Sequence, residues 1–337
     1  MNDEVLLRVE NLRVHFPRRR PHPFAAQSRV HAVDGISFQV RRGSTFGIVG
    51  ESGSGKSTTA QALLRLVPIT DGRIWLGETD LGALEGEALR RLRRRVQIVF
   101  QDPYASLNPR WRAGRIVREP LDLLALGTPV EREARVAELF RRVGLRPEQQ
   151  ALFPHQFSGG QRQRLGIARA LATDPDLVVC DEPVSALDVA IQAQVLNLLR
   201  RLQSELGLTY VFISHDLGVI QYLCDEVAVM YLGTIVEQAS RRSLFREPLH
   251  PYTRALLAAV PVADRKRPRR ERIRLVGDPP SPIDPPPGCR FAGRCPLVEA
   301  RCRRETPALR ELAPGHRVAC HLAPSPLTPL PRAGEGR

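Results

Sequence analysis

Nine consecutive residues, Gly50-Glu51-Ser52-Gly53-Ser54-Gly55-Lys56-Ser57-Thr58, fit the spacing G-x-x-x-x-G-K-S/T. That pattern wraps nucleotide phosphates: glycines let backbone N–H groups turn inward, and the following helix points its positive end at the same anion. Lys56 then supplies a compact cation for the β- and γ-phosphates, and Ser57 a hydroxyl for Mg²⁺. Lys56 and Lys266 are the only lysines in a chain that otherwise uses arginine. A lysine is retained where a slender ammonium fits and a planar guanidinium does not. Elsewhere, Asp181 follows four apolar residues and suits Mg²⁺, and Glu182 beside it suits polarising a water that attacks the γ-phosphate. His215 can bond to that phosphate or orient the water, and Gln101 can reach the ion or the water from another side. Ser158, Gly159, Gly160 and Gln161 open a second helical pattern, a further anion-binding turn or an ordinary helix cap.

These groups need a scaffold that brings them together. Apolar runs at residues 46–49, 96–100, 177–180 and 210–213 read as strands, and each ends in one of the polar groups above. In an open parallel sheet, ligands bind beyond the carboxyl ends of the strands, so four such endings on one edge assemble a site. A strand is also expected over residues 5–16 and at 227–230, and residues 30–49 alternate like paired strands leading into the phosphate loop. Residues 102–170 read as mostly helical, and a helix is expected over about 188–206. The fold class is therefore α/β, a phosphate-loop NTPase with a helical insert.

At 337 residues the chain suits one large domain with an appendage. A nucleotide-binding domain is expected over residues 1–260. A linker and Cys-rich module follow over 261–322, with a disordered tail at 323–337. The net charge of +14 comes from scattered arginines, a compositional bias rather than a nucleic-acid device, and no nucleic acid is expected as partner. No apolar run approaches the roughly 18 residues of a membrane span, and the acidic start Met1-Asn2-Asp3-Glu4 argues against export. Cys289, Cys295, Cys302 and Cys320 form C-x5-C-x6-C-x17-C in a Pro-rich segment too poor in apolar residues to make its own core. Four thiolates could hold Zn²⁺ or an iron–sulfur cluster, and the spacing leaves both open. His316 and His321 are reserve ligands at most, and Cys180 and Cys224 read as core residues.

Taken in order, residues 50–58, Gln101, 158–161, 178–182, Ser185-Ala186-Leu187-Asp188 and His215 resemble the nucleotide-binding subunit of an ATP-binding-cassette transporter. The resemblance covers roughly residues 5–245; Phe157 stands where the family signature often has Leu. It implies an ATPase working as a head-to-tail pair of cassettes. Ser158, Gly159 and Gly160 of one chain would meet the γ-phosphate held by Lys56 of the other, and Asp188 would line the contact between the two sites. It also implies an adenine-stacking aromatic near residue 16, with Phe16 the choice and Phe24 the alternative. Residues 101–110, 250–257 and 280–296 are similar to the dipeptide/oligopeptide (and nickel) permease ATPases. That narrower resemblance implies a 4Fe-4S iron–sulfur cluster on the four cysteines, with Zn²⁺ as the alternative. The partners it implies are two transmembrane permeases, a second ATP-binding subunit (a relative of this chain or a copy of it) and, indirectly, an extracytoplasmic binding protein. The location implied is the cytoplasmic face of the plasma membrane. Nickel or another small solute is the alternative cargo, and a soluble cassette acting on nucleic acid or ribosomes the competing class.

Overall fold

The computed structural model describes residues 4–18, 28–259, 275, 277–278, 280–283 and 285–323. Residues 19–27, including Phe24 and most of the basic insertion, lie outside that set, as do the 265–270 linker and the tail from 324. The strands are β1 Val5–Pro17, β2 Arg29–Arg41, β3 Thr45–Val49, β4 Asp71–Leu76, β5 Thr79–Asp80 and β6 Val96–Val99. They continue with β7 Leu177–Asp181, β8 Thr209–Ser214, β9 Glu226–Tyr231, β10 Thr234–Ser240, β11 Arg310–Ala313 and β12 His316–Val318. The helices are α1 Lys56–Leu63, α2 Gly86–Arg95, α3 Ala113–Leu123, α4 Pro129–Arg142 and α5 Gly159–Leu171. After them come α6 Val189–Leu206, α7 Leu217–Leu223, α8 Arg241–Arg246 and α9 Pro251–Ala259.

An eight-stranded sheet runs in the order β11-β12-β10-β9-β3-β8-β7-β6, and a four-stranded antiparallel sheet in the order β2-β1-β4-β5. Strands β6, β7, β8, β3 and β9 are mutually parallel, so their carboxyl ends share one edge. Both faces of β3, β7 and β8 are buried, which is why they read as apolar runs. On β8, Tyr210 and Phe212 face the helices while Val211 and Ile213 face the small sheet, the period-2 alternation of a strand. Phe38 of the small sheet stacks on Phe46 of the large one at 4.8 Å between ring centroids.

Two expectations need correction. Residues 30–49 form two strands that are not paired with each other: β2 pairs with β1 in the small sheet, while β3 lies between β8 and β9. The turn at Gly43 carries the chain from one sheet to the other, and the alternation in β2 matches a partner across the basic insertion instead. Residues 102–112 are turns, not helix. Asp102 accepts the Tyr104 N–H and Asn108 the Arg110 N–H, and a proline follows each, so side chains take backbone bonds a helix would need. The helical insert proper is α3 to α5, and α4 begins on a capping box between Thr128 and Glu131 with Pro129 in the first turn. The Cys-rich segment is joined to the main sheet, because β12 pairs with β10 at Glu237↔Val318. Buried Glu237 adds a second bond across that seam, accepting from the His316 ring at 2.7 Å and from the Leu249 and His250 N–H groups.

Candidate functional site

The loop from Gly50 to Gly55 leaves β3 and enters α1. At Gly55 φ is +101°, and a Cβ there would lie 2.2 Å from the Ala32 carbonyl oxygen, so only glycine fits. A Cβ on Gly50 would sit equally close to the Met230 carbonyl oxygen. Lys56 is buried and its Nζ donates to the Gly50 and Glu51 carbonyls at 2.8 Å each. Burial lowers its pKa against the opposing pull of Glu182, Asp181 and Glu51. Ser57 Oγ donates to Asp181 Oδ1 at 3.2 Å. Burial raises the Asp181 pKa, and the Ser57 bond and Lys56 pull it back. A hydroxyl and a carboxylate held together at the end of this loop are oxygen donors that could hold a magnesium ion.

Glu182 follows at the end of β7 with φ of +46°, its N–H bonded to the Ile213 carbonyl. One of its carboxylate oxygens, Oε2, accepts from Gln101 Nε2 at 3.1 Å and lies 3.0 Å from His215 Nδ1. Three strand ends thus converge on a single oxygen. Ser52, Gly53, Gly55, Lys56, Ser57, Thr58, Gln101, Glu182 and His215 line one cavity of about 740 Å³, with Val30, Ala32 and Pro282.

Other expected site residues lie elsewhere. Ser158, Gly159, Gly160 and Gln161 cap α5 through a Ser158–Gln161 capping box and do not line this cavity. Beside them, Gly159 approaches Leu187, Gly160 approaches Ile191, and Asp188 caps α6 by accepting the Ile191 N–H. Phe16 is half-buried and pairs across the strands with Val30, which does line the cavity. Cys180 and Cys224 are fully buried in the core, and burial raises both thiol pKa values.

Cys289, Cys295, Cys302 and Cys320 are free thiols close enough for their charges to act on one another. Burial pushes the Cys289 pKa up to about 11, against the Phe291 N–H bonded to its sulfur. The Leu297 N–H reaches the Cys295 sulfur, and those of Leu322 and Ala323 reach Cys320. His316 and His321 are engaged elsewhere, on Glu237 and on the Glu305 carbonyl. His15, His31 and Asp34 also gather within 4.8 Å. Burial raises the Asp34 pKa, but Arg290 and the two histidines outweigh it, so this carboxylate is already neutralised by a guanidinium rather than open to a cation.

Sequence reasoning missed three contributors to the cavity and its loop. Tyr252 Oη accepts the Glu51 N–H at 2.9 Å, Arg294 pairs with the Glu51 carboxylate, and Pro282 lines the cavity. Tyr252, Pro282 and Arg294 all fall in segments singled out for another reason, and nothing in those segments pointed to contacts with the phosphate loop.

Comparison with known proteins agrees with this geometry. Residues 33–185 match the family model "ABC transporter", and residues 236–302 match "Oligopeptide/dipeptide transporter, C-terminal region". The oligopeptide transport ATP-binding protein AppF of Bacillus subtilis (strain 168) is 50% identical over 324 residues, covering 95% of this chain and 98% of AppF. Among solved structures, the dimeric post-hydrolysis state of the ATP-binding cassette MJ0796, bound to ADP and Pi, superposes with a TM-score of 0.62 at 28% identity. It covers 70% of this chain and 99% of that one. CbiO1 from Clostridium perfringens, part of the ABC transporter complex cbiONQ, gives 0.62 at 28% identity over 72% of this chain and 92% of its own. The chain belongs to the ATP-binding proteins of ABC transporters, in the group that carries the oligopeptide/dipeptide transporter C-terminal region.

Proposed function

We propose that this protein hydrolyses Mg·ATP to power the import of di- or oligopeptides. The observation that carries the ATPase reading is the Glu182 carboxylate, held by Gln101 and His215 at the cavity that Lys56 and Ser57 also line. On ATP binding, Lys56 exchanges the Gly50 and Glu51 carbonyls for the β- and γ-phosphate oxygens. Ser57 and Asp181 would hold Mg²⁺, with Gln101 a third candidate donor on the cavity that Ser57 lines; bound there, the ion would supply neutralisation of charge developing on the phosphates. Glu182 accepts a proton from the attacking water, and His215 steadies its carboxylate. The 158–161 turn and Asp188 lie off this cavity, which supports their serving the nucleotide of a second cassette. Phe16 is the residue we assign to stacking on adenine, from the flank it shares with Val30.

The peptide cargo is supported by AppF and by the match over residues 236–302. No described helix is long and apolar enough to cross a membrane, so transport needs permease subunits. Phe100, Tyr104 and Leu123 are exposed close to Gln101 in sequence or space, and we assign this face to the permeases. The functional test reconstitutes the chain with its co-purifying membrane subunits in lipid. Peptide-loaded binding protein should stimulate ATP turnover; stimulation by a nickel-loaded protein alone would overturn the cargo, and absence of any turnover the ATPase reading.

The four cysteines fit an iron–sulfur cluster. Backbone N–H groups aimed at three of the sulfurs are the donors that stabilise metal-bound thiolates. Zn²⁺ takes the same four-thiolate ligand set and is the alternative. Such a cluster would supply a covalent staple for the segment between Gly288 and Ala323. Cys289→Ser with Cys302→Ser should abolish bound iron and acid-labile sulfide in anaerobically purified protein. Native protein carrying zinc and no sulfide would replace iron–sulfur by Zn²⁺.

A further inference from the structure

A carboxylate inside a loop that wraps a triphosphate is electrostatically out of place. Glu51 stands in that position, close enough to Lys56 for its charge to act on the ammonium. Its three polar groups are all committed. The N–H donates to Tyr252 Oη at 2.9 Å, and the carbonyl accepts Lys56 Nζ at 2.8 Å. The carboxylate is gripped by both terminal nitrogens of Arg294, at 2.7 and 3.2 Å.

Arg294 comes from the Cys-rich segment, 243 residues away in the chain, and its side chain is only 9% exposed. Its N–H bonds to the Phe291 carbonyl, within a turn that runs from Cys289 to Cys295. Arg290, at the other end of that turn, bonds to the Leu232 carbonyl and to Asp34. The neighbouring Gly233 N–H bonds to the Ser54 carbonyl, so this second strut also ends on the phosphate loop. Each arginine is the immediate sequence neighbour of a cysteine proposed as a ligand.

We infer that Arg294 is a positioning residue for nucleotide binding: it cancels the Glu51 charge, holds that carboxylate aside from the phosphates, and so makes ATP affinity depend on the folded cysteine module. This rests on the reading of residues 50–58 as the nucleotide site. The bidentate pair matters twice, because a planar fork fixes direction as well as charge. With Arg294 gone, the carboxylate is unpaired beside the ligand's own negative charge, and the Glu51 residue whose carbonyl parks Lys56 keeps only its Tyr252 tether.

The test measures binding of a fluorescent ATP analogue to the full-length chain, with bound metal quantified in every variant. Arg294→Ala should weaken binding about tenfold, the scale of one poorly screened charge a few ångströms from the phosphates. Arg294→Lys, which keeps the charge, should recover most of that loss. In a Glu51→Gln background, Arg294→Ala should cost less than about twofold, because no charge is left to cancel. A purely structural role would cost the same in both backgrounds, and that result overturns the proposal. So does native affinity in Arg294→Ala. Should Arg294→Ala lose its metal, Arg294→Gln keeps the bulk without the charge and carries the same expectation. Lys56→Ala separates the two readings: if it binds nucleotide as native, the site itself is misassigned, whereas failure of the Arg294 arm alone leaves the site standing.

Discussion

Replacing Glu182 by glutamine changes one oxygen to an amide nitrogen and leaves the surrounding shape intact. Oε2 lies 3.1 Å from Gln101 Nε2 and 3.0 Å from His215 Nδ1, and an amide carbonyl can still occupy that place. Orientation therefore survives while basicity is lost. Lys56, Ser57 and Asp181, which we assign to the phosphates and the ion, are untouched, so ATP affinity should remain within about threefold of native. Loss of the base should slow hydrolysis by about 10²–10⁴-fold, equivalent to about 3–5 kcal/mol of barrier. Equilibrium binding of labelled ATP gives the first quantity, and single-turnover hydrolysis in the assembled complex gives the second. His215→Ala supplies an internal scale. That ring is well exposed and reaches the carboxylate only at Oε2, so its loss should cost less than the loss of Glu182 itself. Turnover within about threefold of native in Glu182→Gln would refute the assignment of Glu182 as base. A fall in ATP affinity as large as the fall in rate would refute the claim that it acts on the water and not on the bound nucleotide.

Other outcomes follow from single contacts. Gly55→Ala places a Cβ 2.2 Å from the Ala32 carbonyl oxygen at φ of +101°; it should cost about 1–3 kcal/mol in stability and remove ATP binding, and native affinity would contradict the fit. His250 is buried, and burial lowers its pKa from 6.5 to about 4 while its Nδ1 accepts the Tyr252 N–H. The folded state keeps the ring neutral, so the unfolded chain takes up the proton first. The stabilisation is complete above about pH 6.5 and is lost as pH falls toward 4, by about 2 kcal/mol at pH 5. Urea unfolding at pH 7 and pH 5 should therefore show a larger loss in native protein than in His250→Asn, and equal losses would remove His250 as the cause.

The strands that carry the chemistry were legible because burial on both faces leaves nothing polar inside them. Strands β3, β7 and β8 are short apolar runs that stop where a functional side chain begins. Strand β4 escaped notice because only Ile74 and Leu76 of its six residues are buried, and Asp71-Gly72-Arg73 reads as a turn. Strand β10 was hidden by Glu237 and Gln238, polar residues that the fold buries because Glu237 has partners reaching it from three other positions. The pairing of β2 with β1 could not be read locally, since their alternation fits any neighbour of the right pattern. Arg294 stood in a segment marked by resemblance, but its role was hidden for a different reason: its partner is a carboxylate 243 residues away, which no local pattern reveals.

The large sheet has an outermost strand on each rim, and both are stubs: β6 and β11 span four residues each. A row of free amides that short offers a foreign strand almost nothing to zip onto, and the arginines at the end of α2 lead directly into β6 with a crowd of positive charge. The large sheet is thereby closed to sideways growth at both of its rims. A neighbour that meets it there must dock through the loops and helix ends, where the chemistry already is.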